Sequence, residues 1–227
     1  MLVKNWMNKE IRSISADDTI EQAAKLHKDN NTGVLLVFDN SKLVGVVADR
    51  DFDRASVSEF LPMDKKEIQN FLSNIKVKQI MSPHPLTVTL EHTMDETAEI
   101  LLKHKISAAP VVNDDGKVVG IINRNDIMQF LMSVTGGDQI GYQLNFTVPD
   151  KAGCISEIIN IIKNYDGRVW NISCSYHGVS YGFRNVSMRV YNVKHEHIQE
   201  LLKYVKGKTS ELYVVDYIQN SRGFVKD

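Results

Sequence analysis

The stretch that decides the fold is ISAAPVVNDDGKVVGIINRND, residues 106–126. It holds two short apolar runs, AAPVV at 108–112 and VVGII at 118–122, joined by the polar turn NDDGK. Two short β-rich runs joined by an Asp-Gly turn are typical of a β-hairpin. Asp126 then opens an amphipathic segment, so the pattern predicts a strand, a turn, a second strand and a helix.

An earlier stretch, TGVLLVFDNSKLVGVVADRD at residues 32–51, repeats the pattern. Met7 and Met81 are 74 residues apart (81 − 7), whereas Asp51 and Asp126 are 75 apart (126 − 51). The second copy therefore gains one residue in its turn. A constant spacing with one slip in a turn indicates a tandem repeat.

Each copy is predicted to carry a helix before its hairpin. Thr19 with Gln22, and Thr93 with Glu96, have the spacing of a capping box, and apolar residues follow on one helical face. Residues 56–76 have no counterpart, and their apolar spacing predicts a connecting helix, either a packing spacer or a place for regulatory contacts. We assign residues 1–76 to a first domain with this helix, and residues 77–135 to a second.

The pattern changes after Gly136, Gly137 and Gly141, which mark a linker. Alternating and helical apolar spacings then follow in the order β-α-β-β-α-β over residues 140–220. This order predicts a split βαβ unit, with an antiparallel sheet of four strands and two helices on one face. The open edges of such a sheet favour pairing with a partner, so we predict a homodimer.

Composition limits the class of protein. The chain has 227 residues, 43% of them hydrophobic and 24% charged, which is ordinary for a globular protein. The net charge of −1 gives no basic footprint for nucleic acid, and no signal peptide or membrane span is expected. Cys154 and Cys174 lack a metal or redox spacing, which favours a reduced, cytoplasmic setting.

These segments carry a family resemblance. Each copy resembles a CBS motif, and the two in tandem resemble the CBS pair, or Bateman module. Residues 142–219, with VPDKAG at the first strand–helix turn, resemble an ACT domain. The whole arrangement resembles the acetoin-utilisation protein AcuB group, which implies an α+β fold: a tandem CBS-domain pair followed by a ferredoxin-like βαββαβ ACT domain.

The resemblance implies a nucleotide site in the CBS pair. In that family a Gly, a Ser or Thr three residues on, and an Asp three further line the site. Here the frame reads Gly45, Ala48, Asp51 and Gly120, Asn123, Asp126, with no hydroxyl in either copy. A carboxylate accepts hydrogen bonds from a ribose diol, but an Asp that opens a helix is also a preferred N-cap. Because Asn123 donates a hydrogen bond and Ala48 does not, we favour the second site.

Neighbouring residues complete the predicted site. Small side chains let the backbone approach an adenine ring, and basic side chains suit its phosphates. An ordinary core strand and solvated surface charges are the competing interpretations. The candidates are Ser107, Ala108, Ala109 and Pro110, with Val34 and Leu35 in the first copy, for adenine, and Arg50, Lys105 and Arg124 for phosphate.

In the ACT-like part, Asp150 and Gly153 lie on the first strand–helix turn. The resemblance implies an amino-acid site there, because N–H groups at a helix N-terminus receive a carboxylate. The alternative is that Asp150 is only a turn or capping residue.

We therefore predict a regulatory protein without catalytic activity, cofactor or metal. Its ligand would be an adenine nucleotide (AMP, ATP or related), and binding would act through a homodimer and the ACT part on a protein partner. The alternative is a dimerisation or assembly module that binds no ligand. An enzyme that uses Cys154 or His197 is a third hypothesis, disfavoured because neither residue lies in a catalytic motif.

Overall fold

A computed structural model describes residues 1–30, 33–56, 74–137 and 139–225. Most of the predicted connecting helix, residues 57–73, lies outside the described residues. The chain divides into two units, residues 1–130 and 131–227. The first unit contains both sequence repeats.

The first repeat follows the predicted order of strands and helices. A 3-10 helix at Val3–Asn5 precedes strand β1 (Ser13–Ser15) and helix α1 (Ile20–Asn30). The hairpin is β2 (Val34–Asp39) and β3 (Lys42–Ala48), and helix α2 (Asp49–Ser56) follows it directly.

The second repeat has the same elements. Helix α3 (Val77–Ile80) and strands β4 (Ser82–Pro83) and β5 (Val88–Thr89) lead to helix α4 (Met94–Lys103). The hairpin β6 (Ala108–Val112) and β7 (Val118–Asn123) then runs into helix α5 (Arg124–Thr135).

Local sequence signals act as predicted. In α4 the side chain of Glu96 accepts the Thr93 N–H at 2.8 Å, and Thr93 Oγ1 accepts the Glu96 N–H at 3.3 Å. Thr19 and Gln22 make the same pair of bonds at α1. Both capping boxes are therefore confirmed. Both hairpins are antiparallel, with a register shift at Val37/Phe38 and at the equivalent Val111/Val112.

The two repeats exchange their leading segments, which the sequence did not predict. Val3 is fully buried in the core of the second repeat, together with Met94 and Ile122. Val77 is buried in the core of the first repeat. The boundary predicted between residues 76 and 77 therefore separates the sequence repeats but not the packed cores.

The second unit has the predicted β-α-β-β-α-β order. Its elements are β8 (Tyr142–Pro149), α6 (Cys154–Asn164), β9 (Arg168–Ser175), β10 (Phe183–Tyr191), α7 (His195–Lys206) and β11 (Leu212–Asp216). A further strand, β12 (Ser221–Phe224), pairs with β11, and the spatial order is β12-β11-β8-β10-β9. The expectation of four strands was wrong, because the chain turns back after β11 and covers that edge. The assignment to an ACT domain stays a prediction.

The other edge of this sheet, β9, is not covered by a described strand. The buried core of the unit comes from α6, α7, β8, β10 and β11, while β9 adds only the partly buried Val169. The apolar alternation that predicted β9 consequently remains at the surface. Trp170 is 50% exposed and Tyr176 is 61% exposed.

Candidate functional site

A cleft of about 710 Å³ opens between the two repeats of the first unit. Equivalent positions of both repeats line it, at the start of each hairpin and at the corner where each second strand meets a helix. Its lining residues are Asn8, Glu10, Arg12, Gly33, Val34, Ala48, Asp49, Arg50, Lys105, Ser107, Ala108, Ile121, Asn123, Arg124 and Asn125. Of the predicted site, the structure brings together Val34, Arg50, Lys105, Ser107, Ala108, Asn123 and Arg124.

The corner of the second repeat is fixed by Asn123. Its side-chain oxygen accepts the backbone N–H groups of Asn125 at 2.7 Å and Asp126 at 3.1 Å. This is N-cap bonding, and it satisfies donors that the first turn of a helix leaves free. Ala48 occupies the equivalent corner of the first repeat and has no side chain that accepts a hydrogen bond.

The two aspartates lie one turn deeper than the sequence suggested. Asp51 Oδ2 accepts the Ala48 N–H at 2.9 Å, and Asp126 Oδ2 accepts the Asn123 N–H at 2.7 Å. Each is thus the third residue of its helix, bonding back to the N-cap residue as in half of a capping box. The expectation that they are N-caps was wrong, because the strand ends at the preceding Ala48 and Asn123.

Neither aspartate is among the residues that line the cleft. Asp51 is 2% exposed, and its second oxygen lies 3.5 Å from Ser82 Oγ. Asp126 is half-buried, and burial raises the pKa of its carboxyl above the ordinary value although the Asn123 N–H opposes the shift. Contact of these carboxylates with a ribose stays a prediction.

Gly120 and Pro110 also lie off the cleft lining. A Cβ on Gly120 would lie 2.7 Å from Met7 Sδ and 2.9 Å from the Asn8 carbonyl oxygen, so this position holds the N-terminal segment against β7. Pro110 is buried opposite Ile121 in the hairpin. Ala109 belongs to the core of the repeat, as alternation along a strand requires.

The N-terminal segment supplies cleft residues that sequence reasoning missed. Asn8 pairs with Ile121 through two backbone hydrogen bonds of 2.9 Å, which places Glu10 and Arg12 at the cleft. Asp49, Asn125 and Gly33 were missed as well, although they adjoin predicted residues. The alignment of Met7 with Met81 marked the segment as part of the repeat, but nothing in it showed pairing with the other copy.

The cleft carries more positive than negative side chains. Its basic residues are Arg12, Arg50, Lys105 and Arg124, and its acidic residues are Glu10 and Asp49. Arg12 lies 3.3 Å from Glu10, and His27 Nε2 lies 2.7 Å from Asp49 Oδ1. Small apolar residues on the strands and basic groups at the helix corners suit a ligand with a flat apolar part and an anionic part.

The residues predicted in the ACT-like part lie together at the start of α6. Asp150 Oδ1 is 3.4 Å from Arg184 Nε, and Arg184 Nη2 is 3.2 Å from Cys154 Sγ. Gly153 is the N-cap of α6 in a left-handed conformation (φ 86°), without a side-chain cap bond. Asp150 thus has a basic partner within its own unit, and amino-acid binding there stays a prediction.

Metal and membrane signals were sought in the described parts of the chain. There, no group of three or more His, Cys, Asp or Glu side chains is placed to hold a metal ion. Helices in those same ranges are all too short or too polar to span a bilayer.

The fold and the cleft define a pair of similar α+β repeats around a shared binding space. A model of the CBS domain family matches residues 3–58 and 77–133. A CBS domain-containing protein of Dictyostelium discoideum is 31% identical over 135 residues, covering 59% of this chain and 93% of that protein. The chain belongs to the CBS-domain family and carries a tandem CBS pair.

Other relatives extend the comparison. Inosine-5'-monophosphate dehydrogenase of Korarchaeum cryptofilum is 28% identical over 124 residues, covering 55% of this chain but only 23% of that enzyme. A solved CBS domain structure, NE2398, has 28% identity and a TM-score of 0.50, covering 58% of this chain and 98% of its own. The CBS domain pair of protein MJ0100, solved in complex with 5'-methylthioadenosine and S-adenosyl-L-methionine, has 26% identity and a TM-score of 0.50, covering 61% and 98%.

Proposed function

We propose that this protein is a regulatory sensor without catalytic activity, which binds an adenosine-containing ligand in the cleft of the CBS pair. The observation that carries the proposal is a cleft of about 710 Å³ built from equivalent corners of both repeats. The ligands of the MJ0100 pair, both adenosyl compounds, support the choice of ligand class. An adenine nucleotide such as AMP or ATP fits the basic residues of the cleft.

Adenine would lie against the backbone at Ser107–Ala108 or at Gly33–Val34. Gly33 and Ser107 are equivalent positions (107 − 33 = 74), both are exposed, and both line the cleft. A Cβ at Gly33 would meet no atom within 4 Å, so a larger side chain there extends into open space. Filling each position separately therefore blocks one half of the cleft at little expense to the fold.

The test is isothermal titration calorimetry of the whole chain with AMP, ATP, 5'-methylthioadenosine and S-adenosyl-L-methionine. Gly33→Phe and Ser107→Phe are compared with the wild type and with Thr87→Phe, a matched control at an exposed position outside the cleft lining. We expect Ser107→Phe to abolish binding, because the Asn123 corner belongs to its half, and Thr87→Phe to bind as the wild type does. No heat from any of the four ligands with the wild-type protein would refute the proposal.

We further propose that the second unit is an ACT domain and that the protein is a homodimer. The domain order then favours a regulated protein partner, in acetoin metabolism by resemblance to the AcuB group. Because β9 is eight residues long, contains no proline and has exposed apolar residues, its free edge suits antiparallel pairing with a second copy. The ACT assignment also suggests an amino acid at Asp150 and Gly153.

Light scattering coupled to size-exclusion chromatography tests this assembly. Ile172, 36% exposed on β9, is replaced by Lys, and Leu86, 44% exposed in the first unit, is replaced by Lys as the control. We expect Ile172→Lys to lower the dimer fraction and Leu86→Lys to leave it unchanged. Equal dimer fractions in both variants would exclude the β9 edge as the interface.

The second candidate function is an assembly module that binds no nucleotide. It is favoured by the absence of a hydroxyl at Ala48 and Asn123, and by the bonds that hold Asp51 and Asp126 to the backbone. Exposed apolar side chains on helices of the first unit, Leu102 at 73% and Met128 at 56%, would serve such a role. A dimer that forms in the absence of ligand while the calorimetry shows no binding would select this function.

A further inference from the structure

One corner of the cleft gathers basic side chains from both repeats. Arg124 Nε donates to the Ile106 carbonyl at 3.1 Å, and Arg50 Nη1, from the other repeat, donates to the Lys105 carbonyl at 3.5 Å. Because these carbonyls belong to consecutive residues, both guanidinium groups lie beside the same turn. The side chain of Lys105 lines the cleft at that turn as well.

This basic corner has no acidic counterpart in the described parts of the chain. Glu10 pairs with Arg12 and Asp49 pairs with His27, so both acidic residues of the cleft are engaged elsewhere. Over residues 1–30, 33–56, 74–137 and 139–225, none of Arg50, Lys105 and Arg124 lies in an ion pair. Guanidinium and ammonium groups in this arrangement are complementary to phosphate oxygens.

Lys105 is held in a backbone conformation that does not suit it. Its φ of 54° is left-handed, and it directly follows the C-cap residue His104 of α4. The Ile106 N–H bonds to the Leu101 carbonyl at 3.0 Å and the Lys105 N–H to the Leu102 carbonyl at 3.2 Å, which is a Schellman motif. Glycine is preferred at this position of the motif, because a Cβ is strained there. Strain of this kind is retained mainly where a side chain has a function.

Resting on the proposed function, we propose that the cleft selects ligands that carry a phosphate or polyphosphate group over neutral or cationic adenosyl compounds. Arg50, Lys105 and Arg124 hold that group together, so a single anionic ligand engages both repeats. Lys105 supplies its ammonium group to the ligand although a glycine would end α4 with less strain.

The ligand class is tested by calorimetry of the wild-type chain at one fixed ionic strength, because exposed charges are screened by salt. The probes are ATP, AMP, GTP, tripolyphosphate, 5'-methylthioadenosine and S-adenosyl-L-methionine. We expect ATP to bind at least about 10-fold more tightly than the two sulfur compounds, since charged hydrogen bonds are the strong ones. Sulfur compounds binding as tightly as ATP would overturn this inference and leave the proposed function standing.

Other outcomes separate the two claims in the opposite direction. Tripolyphosphate and GTP binding as tightly as ATP would support the phosphate corner and refute the adenosine part of the proposed function. Absence of binding by every probe would overturn both claims.

Lys105→Gly distinguishes a ligand role from a structural one, because the two roles predict opposite results. We expect its melting temperature to rise by about 2–4 °C as the backbone strain is relieved. Its affinity for ATP should fall by about 10-fold or more, with the Lys105→Arg control, which keeps charge and strain, near the wild type. A Lys105→Gly protein that binds ATP as tightly as the wild type would overturn the proposal.

Discussion

Gly120 is the position where one methyl group should have the largest effect on the first unit. A Cβ there would lie 2.9 Å from the Asn8 carbonyl oxygen and 2.7 Å from Met7 Sδ. The Met7 side chain can move away, but the Asn8 carbonyl cannot, because it accepts the Ile121 N–H at 2.9 Å. Gly120→Ala must therefore displace the N-terminal segment from β7.

The magnitude follows from what that displacement breaks. Asn8 and Ile121 exchange two backbone hydrogen bonds, each worth about 0.5–1.5 kcal/mol net. Overpacking of a well-packed region costs about 1–3 kcal/mol, so we expect Gly120→Ala to lower the free energy of unfolding by that amount. Because Asn8 and Ile121 also line the cleft, ligand affinity should fall with it.

Gly45 is the matched control in the first repeat. A Cβ there would meet the Met81 side chain, with Cγ at 2.9 Å, and the Ser82 carbonyl at 3.1 Å. Since the closest atoms belong to a flexible side chain, Gly45→Ala should cost less than Gly120→Ala. Met81→Ala should relieve part of that cost, whereas Met7→Ala should not rescue Gly120→Ala.

The assay is urea unfolding followed by tryptophan fluorescence in a Trp170→Phe background. Trp6 is then the sole tryptophan, and it packs edge-on against Phe130 with ring centres 5.5 Å apart, so the signal reports on the first unit alone. A Gly120→Ala protein whose unfolding free energy equals that of the background would refute the reasoning. Equal losses at Gly45 and Gly120 would show that the backbone contact is not the cause.

Three further predictions concern other parts of the chain. Thr19→Ala and Thr93→Ala each remove a capping box and should each cost about 1 kcal/mol in urea unfolding, with no loss at either site counting against the capping argument. Burial raises the pKa of the Asp126 carboxyl, so the folded state binds that proton more tightly and unfolding free energy falls as pH rises through the folded pKa; Asp126→Asn should flatten this dependence between about pH 4 and 7, and an unchanged slope would contradict it. A chain ending at Asn220 lacks β12 and exposes the β11 edge, so light scattering should show increased self-association, and an unchanged mass would argue that β12 does not protect this edge.

The hairpins and caps could be predicted from sequence because their signals are local. The NDDGK turn and the flanking apolar runs predicted β6 and β7 to within one residue. Thr93 and Glu96 fixed the start of α4 by their spacing alone. In the second unit, alternation gave β8 as Tyr142–Pro149, since one face of that strand is buried and the other is not.

The candidate site was only partly predictable. Ser107, Ala108, Asn123 and Arg124 line the cleft as expected, since they adjoin the strand–helix corner that the repeat defines. Asp51 and Asp126 do not, because a strand that ends one residue before the helix places the third helical side chain back on the backbone. Glu10 and Arg12 were missed, since a strand pairing across repeats leaves no mark in either copy.

By itself, the sequence determined the duplication, the strand–turn–strand–helix unit within each copy, and the change of pattern after Gly141. These depend on the period of apolar residues and on turn and cap chemistry, which act within a few residues of the chain. Only the tertiary structure decided that Val3 and Val77 exchange cores, that β12 covers one sheet edge, and that Arg50 and Arg124 meet at one turn. Those arrangements depend on contacts between residues far apart in the chain, and burial rather than local spacing selects them.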